Sequence, residues 1–209
     1  MIYNLPELKQ YKNQTIYVVC TGPSLKGYDY SLLKGLNVFA VNDAFRYVPN
    51  FEYLVALDFN WYDRNMKDLL KIGGEALTEE GQRPAENPNL NIKKVKRDRF
   101  AGLPSEKGVA TGNNSGYFAL NLAIGLGATT IYLLGMDMGF KKDNYHYGSG
   151  FIPQNKKEQD PKKYDIVQRH WDVMESELYK IPHVKIFNAS IDSKLEIFTK
   201  ISLNGIEYN

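Results

Sequence analysis

Two short runs of small polar residues have the composition of a phosphate-binding site. The first, Thr-Gly-Pro-Ser, turns the chain directly after an apolar segment, so its amides and hydroxyl groups can face an anion. The second, Asn-Asn-Ser-Gly, precedes an apolar stretch, where a helix would begin with unpaired N–H groups and a positive dipole end. If both runs lie at one edge of a sheet, they would bind a diphosphate or a nucleotide monophosphate. The candidate binding residues are Thr21, Gly22, Pro23, Ser24, Asn113, Asn114, Ser115 and Gly116.

Both runs also have a purely structural explanation. Ser24 and Ser115 are of a residue type that caps helices, and each alone would be explained in that way. Neither run contains the Gly-Lys-Ser/Thr of a P-loop or the Gly-x-Gly-x-x-Gly of a dinucleotide site. The prediction of a nucleotide site therefore depends on the two runs meeting in the fold.

Two carboxylates raise the alternative of a metal site. Asp58 and Asp137 each end an apolar run, and paired carboxylates there can hold Mg²⁺ against the phosphates of a nucleotide. A kinase-type reaction would require that metal, because phosphoryl transfer depends on charge neutralisation. The sequence has no Asp-x-Asp motif, and Asp43 and Asp63 are only possible helpers. We expect no bound metal and no cofactor, and keep Mg²⁺ as the alternative.

The elements that would position these residues alternate between strand and helix. Apolar runs predict strands at 15–20, 37–41, 53–57, 129–135 and 184–187. The second of these strands ends at Asn42, and small or polar residues likewise end the others. Helices are predicted at 61–72 and 117–126, with Gly127 as the C′ residue, and on a stripe around Trp171. The pattern predicts one α/β domain over residues 1–209, Rossmann-like, with a doubly wound and mostly parallel sheet.

Two segments do not fit a simple alternation of strands and helices. Residues 60–105 are mixed and charged, and we expect one helix, a loop and an excursion strand near 92–95. Residues 138–165 are polar and aromatic and too long for an ordinary connection, which is typical of a functional lid. His146 lies at the centre of this lid-like insertion, and a histidine has a pKa suited to removing a proton from an acceptor hydroxyl.

Composition excludes several classes of protein. With 26 basic and 24 acidic side chains the net charge is +2, which gives no basis for nucleic-acid binding. The basic run at 93–99 is expected to be a solvated strand edge or loop. The single cysteine, Cys20, lies in an apolar run and is expected to be buried. Neither a signal peptide nor an apolar stretch long enough to span a membrane is evident, so we expect a cytoplasmic protein.

The stretch at 21–33, Thr-Gly-Pro-Ser-Leu-Lys-Gly-Tyr-Asp-Tyr-Ser-Leu-Leu, resembles the N-terminal motif of bacterial lipooligosaccharide sialyltransferases. In that family an Asn-Gly-Pro-Ser-Leu loop contacts the CMP of the donor. Asn42 matches a second donor-contacting asparagine, and the Asn-Ser-Gly at 114–116 and the Gly-Met-Asp at 135–137 match two further family motifs. The resemblance implies that Tyr147 is a lid tyrosine that contacts the donor phosphate. It extends in order from residue 16 to about residue 147.

Two positions depart from the family pattern. Thr21 replaces the first asparagine of the loop, and Gly150 occupies the position of the general-base histidine. His146 is the nearest substitute for that base. The same loop and helix motifs also resemble the broader group of 6-hydroxymethylpterin pyrophosphokinase-like proteins, which includes phage-encoded members without an assigned activity.

Three functions therefore stay open. The first is a nucleotide-sugar glycosyltransferase with a CMP-sugar-like donor and inverting, metal-independent transfer, in which His146 is the base and Tyr147 assists the leaving group. The second is a pyrophosphokinase-like enzyme that uses ATP and Mg²⁺ through Asp58 and Asp137. The third is a non-catalytic nucleotide- or glycan-binding protein, which Gly150 favours. The expected partner is a nucleotide or a nucleotide-sugar, and in the third case a glycan is the alternative.

Overall fold

Parallel strands form the centre of the molecule. The computed structural model describes residues 2–72, 75–81, 91–138 and 161–208. Within these ranges nine strands make one sheet: β1 (Ile2–Tyr3), β2 (Thr15–Val19), β3 (Val38–Val41), β4 (Tyr53–Val55), β5 (Glu75–Glu79), β6 (Ile92–Val95), β9 (Thr130–Leu134), β10 (Lys185–Asn188) and β11 (Thr199–Lys200). Two short strands, β7 (Arg97–Arg99) and β8 (Val109–Ala110), pair separately. The helices are α1 (Phe59–Ile72), α2 (Ser115–Gly125) and α3 (Pro161–Glu175).

The order of the strands reverses next to β2. Across the sheet they run β1-β6-β5-β4-β3-β2-β9-β10-β11, and every pair is parallel. Chain order therefore proceeds in one direction from β2 to β6 and in the other from β9 to β11. In such doubly wound sheets ligands bind beyond the carboxyl ends of the strands at the point of reversal. The predicted α/β fold with a doubly wound, parallel sheet is confirmed.

The central strands are buried on both faces, which explains their nearly continuous apolar sequences. In β2 and β9 the pattern Thr-Ile-Tyr occurs in the same register, with Tyr17 opposite Tyr132. Their rings stack at 5.4 Å on one face of the sheet. Ile16 and Ile131 lie on the other face, in the core shared with α2.

Helices cover the two faces differently. α2 packs against β2, β3, β4 and β9, and its sequence is apolar on nearly every side because sheet and neighbouring segments surround it. α3 lies on the same face, where Trp171 and Met174 are buried. α1 lies on the opposite face and buries Trp61, Tyr62 and Leu69. Gly127 has a φ of +93°, as its predicted position just beyond the helix end requires.

The middle of the chain departs from the prediction. The strand near 92–95 is not an excursion, because β6 pairs with β1 on one side and β5 on the other. β5 itself was not predicted, since Glu-Ala-Leu-Thr-Glu lacks a strand-like apolar pattern. The basic run at 93–99, expected as a solvated strand edge or loop, is only partly so. β6 lies inside the sheet, whereas Lys96 and Asp98 are exposed. Lys93 pairs with Glu75 at 2.5 Å and Arg97 with Glu79 at 2.8 Å.

The last part of the predicted lid is helical, since α3 begins at Pro161. His146, Tyr147 and Gly150 lie in 139–160, outside the described residues, and their roles stay predictions. Among the residues that the structure describes, no helix is long and apolar enough to cross a membrane.

Candidate active site

The carboxyl ends of β2, β3 and β4 meet the start of α2 around one cavity of about 170 Å³. Four predicted residues line it, and each comes from a different element. Thr21 follows β2, Asn42 follows β3, Asp58 follows β4, and Ser115 is the first residue of α2. Three further residues complete the lining: Asp43, Trp61 and Arg64.

Asn42 turns the chain at the carboxyl end of β3. Its φ is +49°, in the left-handed region where asparagine is several-fold enriched among residues other than glycine. The chain then forms a short 3-10 helix, Asn42–Arg46. This turn places both Asn42 and Asp43 on the cavity wall.

Asp43 is a buried carboxylate held by the neighbouring helix. Its Oδ1 accepts a hydrogen bond from Trp61 Nε1 at 3.3 Å and lies 3.6 Å from Arg46 Nε. Arg46 in turn donates to Asp68 at 2.6 Å, farther along α1. These contacts fix the start of α1 against the turn after β3, so the carboxylate of Asp43 has a defined position at the site.

Asp58 lines the cavity and binds two neighbouring groups. Its Oδ1 accepts from the amide of Asn60 at 2.9 Å, and its Oδ2 accepts from Arg64 Nη2 at 3.3 Å. Asp58, Trp61 and Arg64 are spaced by three residues, and such residues lie on one face of a helix. That spacing was the sequence signal for Trp61 and Arg64, which the sequence prediction missed.

The start of α2 is tied to β4. Asn114 caps the helix, because its Oδ1 accepts from the amide of Tyr117 at 2.9 Å. Ser115 does not cap it: its Oγ accepts from the amide of Leu57 at 3.1 Å, across to the strand end. The capping explanation therefore applies to Asn114, and Ser115 brings the positive end of α2 to the cavity.

Gly116 lets α2 approach the sheet closely. A Cβ atom at this position would overlap the methyl group of Met136 and would lie 3.1 Å from Cys20 Sγ. Burial, reinforced by the charge of Asp137, raises the pKa of Cys20 to about 12. Cys20 is therefore a protonated thiol at neutral pH, which fits its predicted structural role.

Hydrogen bonds to Asp137 hold the loop after β2 in place. Oδ2 of Asp137 accepts from the Ser24 hydroxyl at 2.9 Å and from the Ser24 amide at 3.3 Å, and the Ser24 hydroxyl also contacts Ser190 Oγ at 2.9 Å. A Cβ at residue 22 would overlap this carboxylate and the Gly135 carbonyl, so only glycine fits there. Ser24 therefore anchors the loop to β9.

Not every candidate reaches the cavity wall. Asp137 is absent from the lining that contains Asp58, so the two carboxylates predicted as a metal pair do not share this cavity. The other candidates outside the lining are Gly22, Pro23, Ser24, Asn113, Asn114 and Gly116. Within the described ranges, no group of three or more His, Cys, Asp or Glu side chains is placed to hold a metal ion.

No family model matches the sequence, and no curated protein matches it. Solved structures with a similar fold include the MAf glycosyltransferase from Magnetospirillum magneticum AMB-1, with a TM-score of 0.67 and 13% identity over 96% of this chain. The chain has the fold of known glycosyltransferases. It spans 36% of the MAf chain.

In a second similar structure, the region that matches this chain makes up most of that protein. The sialyltransferase CstII from Campylobacter jejuni in complex with CMP has a TM-score of 0.52 and 16% identity, over 92% of this chain and 86% of that one. CstII in complex with a trisaccharide acceptor and CMP gives a TM-score of 0.51 and 18% identity, over 91% and 87%.

Proposed function

We propose that this chain is a nucleotide-sugar-dependent glycosyltransferase with a CMP-sugar-like donor and metal-independent, inverting transfer. The observation that carries the proposal is the cavity shared by Thr21, Asn42, Asp58 and Ser115 at the carboxyl ends of parallel strands. The CstII structures, which share the fold, hold CMP. The proposal therefore assigns a cytidine nucleotide to this end of the sheet.

The two phosphate-binding runs take different parts in this proposal. Asp137 holds the Gly22–Ser24 loop, and this loop follows Thr21, which lines the cavity that would receive the ligand. The start of α2 supplies a partial positive charge, which stabilises an anionic phosphate without a metal ion. At about 170 Å³, the cavity is smaller than the pockets that enclose whole drug-sized ligands, so it takes one ring of the donor.

The transfer needs a base and a stabilised leaving group. The acceptor oxygen forms a bond to the anomeric carbon as the bond from that carbon to the nucleotide phosphate oxygen breaks. The electron pair of the broken bond leaves with the phosphate, where the dipole of α2 and Tyr147 stabilise it. The acceptor proton passes to His146. Attack from the face opposite the phosphate inverts the anomeric centre.

A thermal-shift screen with CMP, CDP, UDP, GDP and ATP, each with and without Mg²⁺, tests the proposal. A ligand that binds only the native state at 100 times its Kd stabilises it by about 2.7 kcal/mol, which is about 5–10 °C in Tm for a chain of this size. We expect CMP to raise the Tm equally in EDTA and in Mg²⁺. Stabilisation by ATP alone, and only with Mg²⁺, would contradict the proposal and support a pyrophosphokinase.

Ser115→Arg locates the binding site. The long guanidinium side chain fills the cavity, so we expect the CMP-induced shift to disappear. The Tm of the free protein should fall by about 2–10 °C, because the Leu57 amide loses its acceptor. Ser202→Arg is the matched control, because Ser202 is exposed and its side chain makes no capping bond. Persistent CMP binding by Ser115→Arg would place the nucleotide elsewhere. Binding of CMP without turnover of CMP-sugars would support the non-catalytic alternative.

A further inference from the structure

We propose that the segment 201–208, which follows β11, positions the loop after β2 for nucleotide binding, and that Tyr208 is the positioning residue. The proposal rests on the proposed function, because it concerns the same site. Asp137 holds one part of that loop through Ser24. Tyr208 holds a second part through Tyr28. The loop therefore has two anchors, and both come from residues far along the chain.

The connection from β2 to β3, which the structure describes in full, contains no α-helix. It forms two short 3-10 helices, Pro23–Leu25 and Tyr30–Leu33. Such helices have poorer hydrogen-bond geometry than α-helices, and helices of three or four residues add few bonds of their own. The position of this connection therefore depends on contacts with distant parts of the chain, of which the bond from Ser24 to Asp137 is one.

The segment 201–208 begins beside the edge strand β11 and covers Tyr17 of the central strand β2. Tyr17 Oη donates to the carbonyl oxygen of Glu207 at 2.5 Å. The ring of Tyr208 lies nearly parallel to that of Tyr17, with the ring centroids 6.2 Å apart. Ile206 is buried in the apolar cluster to which Tyr17 belongs. Ring stacking and apolar burial therefore hold the segment against the centre of the sheet.

A hydrogen bond joins this segment to the loop after β2. The hydroxyl oxygens of Tyr28 and Tyr208 are 3.1 Å apart, and both side chains pack against the apolar cluster that contains Leu25. The amide of Tyr28 donates to the Leu25 carbonyl at 3.0 Å, and the amide of Leu25 donates to the Gly22 carbonyl at 3.2 Å. Gly22 directly follows Thr21, which lines the cavity. A continuous series of contacts therefore connects Tyr208 with the cavity wall.

The order of the loop should affect the affinity for a nucleotide. A loop that is already ordered favours binding, because a loop that must be ordered when the ligand binds lowers the affinity. The net contribution of one neutral hydrogen bond corresponds to about a two- to tenfold change in an equilibrium constant. We therefore expect loss of the Tyr208 hydroxyl group to weaken nucleotide binding by about that factor. Because such coupling is reciprocal, a bound nucleotide should stabilise the packed segment by the same factor.

Tyr208→Phe, Tyr28→Phe and the double variant test the proposal in the full chain. Amide hydrogen exchange of residues 22–28 without ligand measures the order of the loop, and titration calorimetry with CMP measures the affinity. We expect each single variant to show faster exchange of the loop and about two- to tenfold weaker CMP binding. The double variant should show no additional loss, because both changes remove the same bond.

Tyr11→Phe is the matched control. Tyr11 is buried, and its hydroxyl group donates to Glu52 at 3.0 Å, next to the amino end of β4 and therefore at the opposite edge of the sheet from the cavity. This variant also loses one tyrosine hydroxyl bond, but it should leave both the exchange of the loop and the CMP affinity unchanged.

The two measurements separate this proposal from the proposed function. Unchanged exchange of the loop in Tyr208→Phe overturns the positioning role, whereas CMP binding by the wild type would still support the proposed function. Faster exchange with unchanged CMP affinity also overturns that role, because the order of the loop would then have no effect on binding. A loss of CMP affinity that Tyr11→Phe reproduces overturns it as a general effect of lower stability. Absence of CMP binding by the wild type overturns the proposed function and the role of Tyr208 together.

Discussion

Removal of the Asp137 carboxylate should loosen the loop after β2. In the folded chain this group accepts two hydrogen bonds from Ser24, at 2.9 Å from the hydroxyl and at 3.3 Å from the amide. A hydrogen bond to a charged acceptor contributes about 1.5–3 kcal/mol, and the longer of the two contributes less. We expect Asp137→Ala to lower the free energy of unfolding by about 2–4 kcal/mol, which corresponds to a Tm lower by roughly 5–15 °C.

Asp137→Asn distinguishes the hydrogen bonds from the charge. Asparagine retains an oxygen that can accept from Ser24, so it should lose about half as much stability as alanine. Urea unfolding followed by circular dichroism, with the m-value compared between variants, measures these differences. Asp172→Ala is the control, because this residue is exposed and its carboxylate accepts a long, 3.4 Å bond from Gln168. It should change stability by about 0.5 kcal/mol or less.

The outcome for Asp137→Ala can refute the reasoning directly. A Tm within about 1 °C of the wild type would show that the loop does not depend on the Ser24 contacts, since two lost bonds to a charged acceptor predict a larger change. CMP stabilisation should also be smaller in Asp137→Ala than in the wild type, because the loop must then be ordered when the nucleotide binds. Unchanged CMP affinity in a destabilised variant would show that the Ser24 contacts contribute to folding but not to CMP binding.

Two further predictions concern the contact between α2 and the sheet. Gly116→Ala should cost about 1–3 kcal/mol, because the added methyl group meets Met136 and Cys20, and urea unfolding should show a lower midpoint with an unchanged m-value. Burial raises the pKa of Cys20 to about 12, so the folded thiol stays protonated where the unfolded one ionises. The free energy of unfolding should therefore fall between about pH 9 and 12, and a Cys20→Ser variant should show a smaller fall. Rapid alkylation of native Cys20 at pH 8 would contradict that burial.

Local sequence was sufficient for much of the parallel sheet and for part of the site. The runs that became β2, β3, β4 and β9 are apolar and β-branched, and a strand buried on both faces needs no other signal. Asn114 and Gly127 mark the ends of α2 because cap geometry depends only on adjacent residues. The polar residues at strand ends could be located for the same reason.

Tertiary structure decided what depends on distant partners. β5 contains polar residues that become favourable inside the sheet only when Glu75 meets Lys93 and Glu79 meets Arg97, and no local pattern encodes these pairs. The neighbours of each strand also depend on the whole topology, which is why a strand expected as an excursion lies between β1 and β5.

The candidate site also has a part that the sequence predicts and a part that only the tertiary structure decides. Sequence identified Thr21, Asn42, Asp58 and Ser115 one by one, because each stands where a strand ends or a helix begins. The order of the strands and the packing of the helices bring these four residues to one cavity. They also decide that Asp137 binds the loop and does not line this cavity with Asp58. Backbone turns are set by adjacent residues, whereas the convergence of side chains requires the packing of the entire sheet.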